Sequence, residues 1–221
     1  TMLELIDSAG TSVNESIWER VVQIIVNNES LQQFTCNAIL KYITKPKFSE
    51  SMVKIAAYIL GEFGFLIVDE ISVEKQFELL AGIYFFVSAN TRTMILTSFM
   101  KMLKFDMENR VLKSNIIKIL RVEVNSINVE LQQRAFEYLS LIQKLNTRSG
   151  QDLYRIIFEE TPVFNTSENK LLLKLAKSHP AQFVKSTDNL SQKIQHGDSL
   201  VVQEGGNGAS DPFANGTESS T

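Results

Sequence analysis

Two closely spaced glycines, Gly61 and Gly64, are the residues whose type and spacing most suggest ligand chemistry. They lie in the apolar stretch "AAYILGEFGFLI" and enclose one acid, Glu62. Glycine-rich loops bind phosphate through backbone N–H groups after a β-strand, and no strand pattern precedes these glycines. Residues three positions apart are neighbours on a helix, so we predict a helix packing joint whose close contacts offset the ~1 kcal/mol cost of a mid-helix glycine. Glu62 is then expected either on an exposed ridge or at the terminus of a neighbouring helix.

Other residues capable of catalysis are few and far apart. Cys36 is the only cysteine, and the only histidines, His179 and His196, lie near the other end of the chain. A Cys–His nucleophile pair needs both groups within hydrogen-bond reach. Cys36 stands among apolar residues, which favours a buried thiol, and the acids Glu159 and Glu160 are expected to be solvated charges. With no P-loop, zinc-protease or EF-hand motif, we predict no enzymatic activity, no metal and no cofactor.

The stretch "SENKLLLKLAK" predicts a basic stripe on one helix face. Its members are Lys170, Lys174 and Lys177, opposite Leu171, Leu172 and Leu175. Such a stripe can contact anionic lipid or an acidic partner. The ordinary solvated face of a terminal helix is the simpler interpretation of the same pattern.

A second candidate contact is the tripeptide Asp211–Pro212–Phe213. It lies in a segment rich in Ser, Gly, Asn and Gln, which has too little apolar surface to offset the entropy of ordering. A phenylalanine presented by a proline turn can enter a shallow pocket, so the tripeptide is a possible short linear motif. We predict that residues 178–221 form a disordered linker or tail.

Composition limits the class of protein. The chain has 221 residues, 44% hydrophobic residues and a formal net charge of −3. The mild acidity gives no sign of a nucleic-acid partner. One cysteine excludes an intrachain disulfide framework and fits a reducing compartment. Neither a signal peptide nor an apolar run of about 18 residues is present, so we expect a soluble intracellular chain.

Helical periodicity extends over most of the sequence. One helix face is predicted to carry Ile17, Val21, Ile24 and Ile25, and the next Leu31, Phe34, Ala38 and Ile39. A third, buried helix starts at the cap Ser49 and has Val53, Ala56, Ala57, Leu60, Gly64 and Ile67 on one face. Further helices are predicted at about 73–88, 91–104, 109–121, 128–146, 150–159 and 167–177. Predicted caps are Ser12, in a capping box with Glu15, and Asn90, Asn128 and Ser167.

Roughly ten helices with short connectors predict an all-α fold. Helix pairs recurring about every 40 residues are typical of an α-solenoid of HEAT or armadillo type, with an irregular bundle as the alternative. We assign residues 1–177 to this helical-repeat region.

Several blocks resemble the large adaptin subunits of clathrin adaptor complexes. They are "ESIWERVVQIIVNN", "YILGEFGFLI", "VELQQRAFEYL" and "FEETPVF" with "SENKLLLKLAK", in this order over roughly residues 3–177. The block "YILGEFG" is closest to the alpha type, and a gamma-type adaptin is the nearest alternative. The resemblance implies the C-terminal part of an adaptin trunk followed by the start of the hinge.

The resemblance also implies a role and partners. It predicts a non-enzymatic scaffold that holds beta-type large, medium and small adaptor chains, with clathrin and accessory proteins reached through the parent complex. The expected location is cytoplasmic and peripheral at plasma-membrane coated pits, with membrane contacts made by parts of the parent chain outside this sequence. A HEAT-repeat transport scaffold that binds soluble protein cargo is an alternative of another class.

Overall fold

The computed structural model describes residues 2–10 and 14–164, and every element within these ranges is helical. The helices are α1 Met2–Ala9, α2 Glu15–Val26, α3 Glu29–Ile43, α4 Glu50–Phe63, α5 Val73–Ile83, α6 Ala89–Phe105, α7 Arg110–Glu123, α8 Val129–Lys144 and α9 Arg148–Ile157. Short 3₁₀ segments, Gly64–Ile67 and Tyr84–Phe86, extend α4 and α5. The all-α prediction is confirmed for these residues, and none of their helices is long and apolar enough to cross a membrane.

The even-numbered helices establish the repeat. α2 contacts α4, α4 contacts α6, and α6 contacts α8. Each of these helices forms a pair with the odd-numbered helix that follows it. The four pairs begin at Glu15, Glu50, Ala89 and Val129, about 35 to 40 residues apart. This ordered succession of neighbours is the arrangement of an α-solenoid.

Side-chain caps account for most helix starts. Ser49 accepts a hydrogen bond from the Met52 N–H at 3.2 Å, and Asn128 accepts one from the Leu131 N–H at 3.1 Å, as predicted. The prediction for Asn90 is wrong, because Ser88 caps α6 and Asn90 lies in its first turn. The chain therefore turns into α6 earlier than the apolar pattern suggests.

The predicted capping box at α2 is also wrong. Asn14 is the N-cap and accepts from the Ser16 N–H at 3.0 Å, so Glu15 is the first helical residue and not the third. Both Ser12 and the predicted cap Ser167 lie outside the described residues.

The centre of the core is α4. Val53, Ala56, Ala57, Leu60 and Ile67 are completely buried, as the predicted face requires. Neighbours on several sides, α2, α3 and α6, cover this helix. A helix that is apolar around nearly its whole circumference is stable only when covered in this way.

Two predicted apolar faces are partly wrong. On α3, Leu31 and Phe34 are exposed, Phe34 by 66%, and the buried side consists of Thr35, Cys36, Ile39 and Ile43. α4 and the 3₁₀ segment after it cover that side of α3. On α2, Ile17 is exposed while Val21 and Ile25 are buried. The sequence period identifies apolar positions, but the neighbouring helices decide which of them are covered.

Candidate interaction surfaces

Gly61 lies at a close approach of α4 and α6. A β-carbon added at Gly61 would stand 3.0 Å from Ser98 Cα and 3.1 Å from Ser98 Cβ. The Ser98 hydroxyl donates a hydrogen bond to the Ala57 carbonyl, which ties the two helices together at the same level. The packing-joint prediction is confirmed here, because the absent side chain of Gly61 is replaced by the backbone of α6.

Gly64 makes room for a side chain and not for a backbone. A β-carbon there would lie 2.2 Å from Gln76 Oε1. The buried Gln76 amide donates from Nε2 to the Gly64 carbonyl at 2.9 Å and to the Ile71 carbonyl at 3.0 Å. Gln76 thereby links the Gly64 carbonyl after α4 to the Ile71 carbonyl before α5. Only one of the two glycines is a helix–helix joint.

Glu62 is neither on an exposed ridge nor at the terminus of another helix, so both predictions for it are wrong. It is 5% exposed and forms an ion pair with Lys101, which projects from within α6. Its Oε1 also accepts a hydrogen bond from the Thr161 hydroxyl at 2.6 Å. A buried carboxylate requires such partners, because burying an unpaired charge is costly.

Lys101 is partly desolvated by the same packing. Burial and the positive charge of Lys104 lower the pKa of Lys101 to about 8, against the opposing effect of Glu160. The ammonium is therefore still mostly protonated at neutral pH. Apolar neighbours in "SFMKMLKF" are the signal that could have located it, since a lysine in such a helix needs a partner.

The chain after α9 crosses back over the helices already described. We call residues 159–164 the strap; they have no helical or strand structure. At its centre, Thr161 Oγ1 accepts a hydrogen bond from the Tyr58 hydroxyl at 3.0 Å and donates to Glu62. At its end, Asn27 Nδ2 donates to the Phe164 carbonyl at 2.8 Å, and the Phe164 N–H donates to Asn27 Oδ1 at 2.9 Å. The strap thus links the region after α9 to α4 and to the end of α2.

Residues flanking these strap contacts face solvent. Glu159 and Glu160 are exposed, as expected for solvated acids, and Pro162 and Val163 are exposed as well. Val163 lines an open groove of about 520 Å³ together with Glu29, Gln33 and Phe65. The strap is therefore held by specific hydrogen bonds and by the partly buried side chain of Phe164, while Pro162 and Val163 contribute little burial.

A second buried ion pair links α6 and α7. Arg92 donates to Glu123 Oε1 at 2.9 Å, and the Tyr84 hydroxyl donates to the same oxygen at 3.0 Å. Burial, together with the negative charge of Glu123, raises the pKa of Tyr84. The cluster therefore gives the buried Glu123 carboxylate two donors, while Arg92 Nε is buried without a hydrogen-bond partner among the described residues.

An apolar groove of about 490 Å³ lies among α1, α2 and α3. Its lining includes Met2, Ile24, Leu31, Phe34 and Tyr42, with Lys41 and Lys45 at one side. Of these, Leu31 and Phe34 are the apolar side chains that α3 leaves exposed. No cluster of titratable groups converges within this groove. Its mainly apolar lining is typical of a packing surface and not of a catalytic site.

The described residues include no group of three or more side chains placed to bind a metal ion. Cys36 is completely buried, its Sγ lies 3.5 Å from the Phe63 carbonyl oxygen, and burial raises its pKa to about 12. This agrees with the prediction of a buried thiol. The predicted stripe Lys170, Lys174 and Lys177 and the tripeptide Asp211–Pro212–Phe213 lie outside the described residues.

Comparison with known proteins identifies a family and several relatives. The family pattern described as the adaptin N terminal region matches residues 1–146. The AP-2 complex subunit alpha of Saccharomyces cerevisiae is 40% identical over 208 residues, which cover 88% of this chain and 20% of the yeast protein. AP-2 complex subunit alpha-1 of Arabidopsis thaliana is 31% identical over 217 residues, covering 96% and 21%. The AP-2 complex subunit alpha of Schizosaccharomyces pombe is 30% identical over 194 residues, covering 87% and 21%. The chain spans about a fifth of the length of these relatives.

Proposed function

The chain belongs to the adaptin family, and on that premise we propose that it is the helical-repeat region of an alpha-type large subunit in a clathrin adaptor complex. Members of this family are structural adaptor subunits and not enzymes. Such a subunit supports complex assembly and cargo selection during endocytosis and vesicle transport. The observation that carries the proposal is the alignment with an AP-2 alpha subunit over 88% of the chain.

The fold supports a role as a scaffold. A solenoid presents long, continuous surfaces, and successive helix pairs hold those surfaces in fixed relation. The ion pair between α4 and α6 connects consecutive repeats, and the ion pair between α6 and α7 joins the two helices of one repeat. The proposed partners are the beta-type large, medium and small adaptor chains, with clathrin and accessory proteins reached through the complex.

The proposed location is the cytoplasmic side of the plasma membrane, in coated pits. A gamma-type subunit of an internal adaptor is not favoured, because the relatives described above are all AP-2 alpha subunits. A solenoid that binds soluble cargo is not favoured for the same reason.

Affinity capture of the full-length parent chain tests the proposal. We expect beta-type large, medium and small adaptor chains to copurify in near-equal amounts, and a fluorescent fusion to concentrate in coated pits at the cell surface. Recovery of soluble cargo without adaptor chains would contradict it. Concentration on internal membranes instead would favour the gamma-type alternative.

We also propose that residues 178–221 belong to the hinge and that Asp211–Pro212–Phe213 binds an alpha-type appendage domain. Titration of the isolated appendage with the tail should show weak binding that Phe213→Ala removes. Absence of binding by the unchanged tail would exclude this role.

We likewise propose that the stripe Lys170, Lys174 and Lys177 contacts anionic lipid. Replacing all three lysines by glutamine should reduce retention on anionic vesicles by about two orders of magnitude, since each cation near such a surface contributes about 1 kcal/mol. Unchanged retention would identify the stripe as an ordinary solvated face.

A further inference from the structure

Thr161 combines two properties that no other residue of the chain shares. The four prolines follow Lys45, Thr161, His179 and Asp211, so Thr161 is the only hydroxyl residue that directly precedes a proline. Its hydroxyl is also the central contact of the strap, donating to Glu62 and accepting from Tyr58. One atom is therefore both a possible acceptor for a modifying group and the link that holds the strap to α4.

The local backbone suits recognition by a kinase that requires proline after the acceptor. The residue before a proline is pushed towards an extended conformation, and the strap has no helical or strand structure. The flanking residues Glu160, Pro162 and Val163 are exposed, Val163 by 73%. The Thr161 hydroxyl has to leave Tyr58 and Glu62 for an enzyme to reach it.

We propose that Thr161 is a phosphorylation site for a proline-directed protein kinase, and that its phosphorylation releases the strap from α4. In the reaction the γ-phosphorus of a nucleoside triphosphate forms a bond to Thr161 Oγ1 as its bond to the β,γ-bridging oxygen breaks. The hydroxyl proton passes to the kinase's catalytic base, and a nucleoside diphosphate leaves.

Electrostatic repulsion explains why the phosphorylated strap does not bind to α4 again. A phosphothreonine carries about −1.5 to −2 charges at neutral pH, and it would have to reoccupy a position 2.6 Å from the buried Glu62 carboxylate. The ammonium of Lys101, which lines the same small cavity as Thr161, is already paired with Glu62. Phosphate also removes the hydroxyl hydrogen that Thr161 donates. Repulsion and loss of a hydrogen bond act in the same direction.

Release of the strap has a consequence for the array. Thr161 and Phe164 link the end of the last described helix pair to α4 and to Asn27 at the end of α2. These contacts join repeats that are not adjacent in the solenoid. Their loss frees the repeats to move relative to one another, while the contacts between adjacent helices remain.

The first experiment asks whether the site is used. The full chain and a peptide of residues 157–166 are incubated with a proline-directed serine/threonine kinase, ATP and Mg²⁺, and phosphopeptides are mapped. We expect phosphate on Thr161 in both, and none in the Pro162→Ala variant, which keeps the hydroxyl and its partners. An unmodified Thr161 in the full chain would overturn the proposal, whether or not the peptide is modified.

The second experiment measures release. Spin labels at Glu29→Cys and Val163→Cys report a short distance across the groove that both residues line. The only native cysteine, Cys36, is buried and remains unlabelled. Kinase treatment should lower the ratio of the short-distance population to the long-distance, released population by roughly tenfold or more. A change of this size is usual for a regulatory coupling. An unchanged distance distribution in fully phosphorylated chain would overturn the proposal.

Two variants separate the effect of phosphorylation at Thr161 from the effect of repulsion by Glu62. Thr161→Val cannot accept phosphate, so kinase treatment should leave its distance distribution unchanged. Glu62→Gln removes the repelling charge, so phosphorylation should release the strap less completely than in the unchanged protein. Equal release in Glu62→Gln would overturn repulsion as the mechanism. Circular dichroism of each variant confirms that the helices are intact, and the result is independent of which adaptor partners the chain binds.

Discussion

Asn27 and Phe164 are 137 positions apart in the chain, yet the Asn27 side chain and the Phe164 backbone exchange two hydrogen bonds, of 2.8 and 2.9 Å. The amide of Asn27 satisfies both the N–H and the carbonyl of a residue that has no partner in a helix or strand. This pairing connects the end of α2 with a segment that follows the last described helix. It shows that the repeats are connected by more than contacts between successive helices.

Asn27→Ala should loosen the strap. The substitution removes both hydrogen bonds and leaves the Phe164 backbone groups to solvent, so the free energy of unfolding should fall by about 1–2 kcal/mol. Urea denaturation followed by circular dichroism measures the change. Gln33→Ala, at an exposed position beside the same groove, is the matched control and should change little. Equal effects of the two substitutions would contradict the importance of the Asn27–Phe164 pairing.

The ion pair between Glu62 and Lys101 should behave as a buried pair. Lys101→Met alone leaves an uncompensated carboxylate in the core, so we expect a loss of about 3–5 kcal/mol in the free energy of unfolding. The double variant with Glu62→Leu should be more stable than Lys101→Met, because it removes both charges. A complete double-mutant cycle by chemical denaturation measures the coupling.

A surface pair provides the control for that cycle. Lys75 and Glu78 form an ion pair on α5 in which both side chains are largely exposed. Lys75→Met should cost less than about 1 kcal/mol, since exposed pairs contribute little. Similar costs for Lys75→Met and Lys101→Met would show that Glu62 and Lys101 are solvated in solution.

Gly61→Ala should destabilise the chain although alanine is the better helix former. The new β-carbon would press against Ser98 Cα at 3.0 Å, and backbone can move only if α4 and α6 separate. We expect a net loss of about 1–2 kcal/mol after the gain in helix propensity. Thermal unfolding compares it with Gly82→Ala, where no atom lies within 4 Å. Gly82→Ala should be neutral or more stable; stabilisation by both would contradict the close approach.

Glu50 should contribute to the acid sensitivity of the fold. Burial would raise its pKa, but hydrogen bonds from Ser88 and Thr91 outweigh burial and hold the pKa below its ordinary value of 4.5. A lowered folded-state pKa gives stability that is present above about pH 4.5 and is lost as the pH falls through the folded value. The free energy of unfolding, measured between about pH 7 and pH 3, should fall less steeply in Glu50→Gln. Identical slopes would mean that Glu50 keeps the same pKa after unfolding.

The sequence by itself determined the helices and the centre of the core. Apolar residues repeating every three or four positions indicate a helix regardless of what surrounds it, and the continuous apolar stretch before Gly61 required a helix covered on several sides. Ser49 and Asn128 could be predicted as caps because a capping side chain binds an N–H only three residues away. The family resemblance came from the same local blocks, and the family match over residues 1–146 agrees with it.

Only the tertiary structure decided which neighbour each residue meets. Phe34 and Ile39 are equally apolar, but one is exposed and the other buried, because α4 covers only one side of α3. Glu62 was expected on an exposed ridge or at the terminus of a neighbouring helix, but its partners Lys101 and Thr161 are 39 and 99 positions away. Helical periodicity depends on residues within one turn, whereas pairing of buried charges and the path of the strap depend on how distant segments pack. Those distances are set by the stacking of the repeats, which no local pattern encodes.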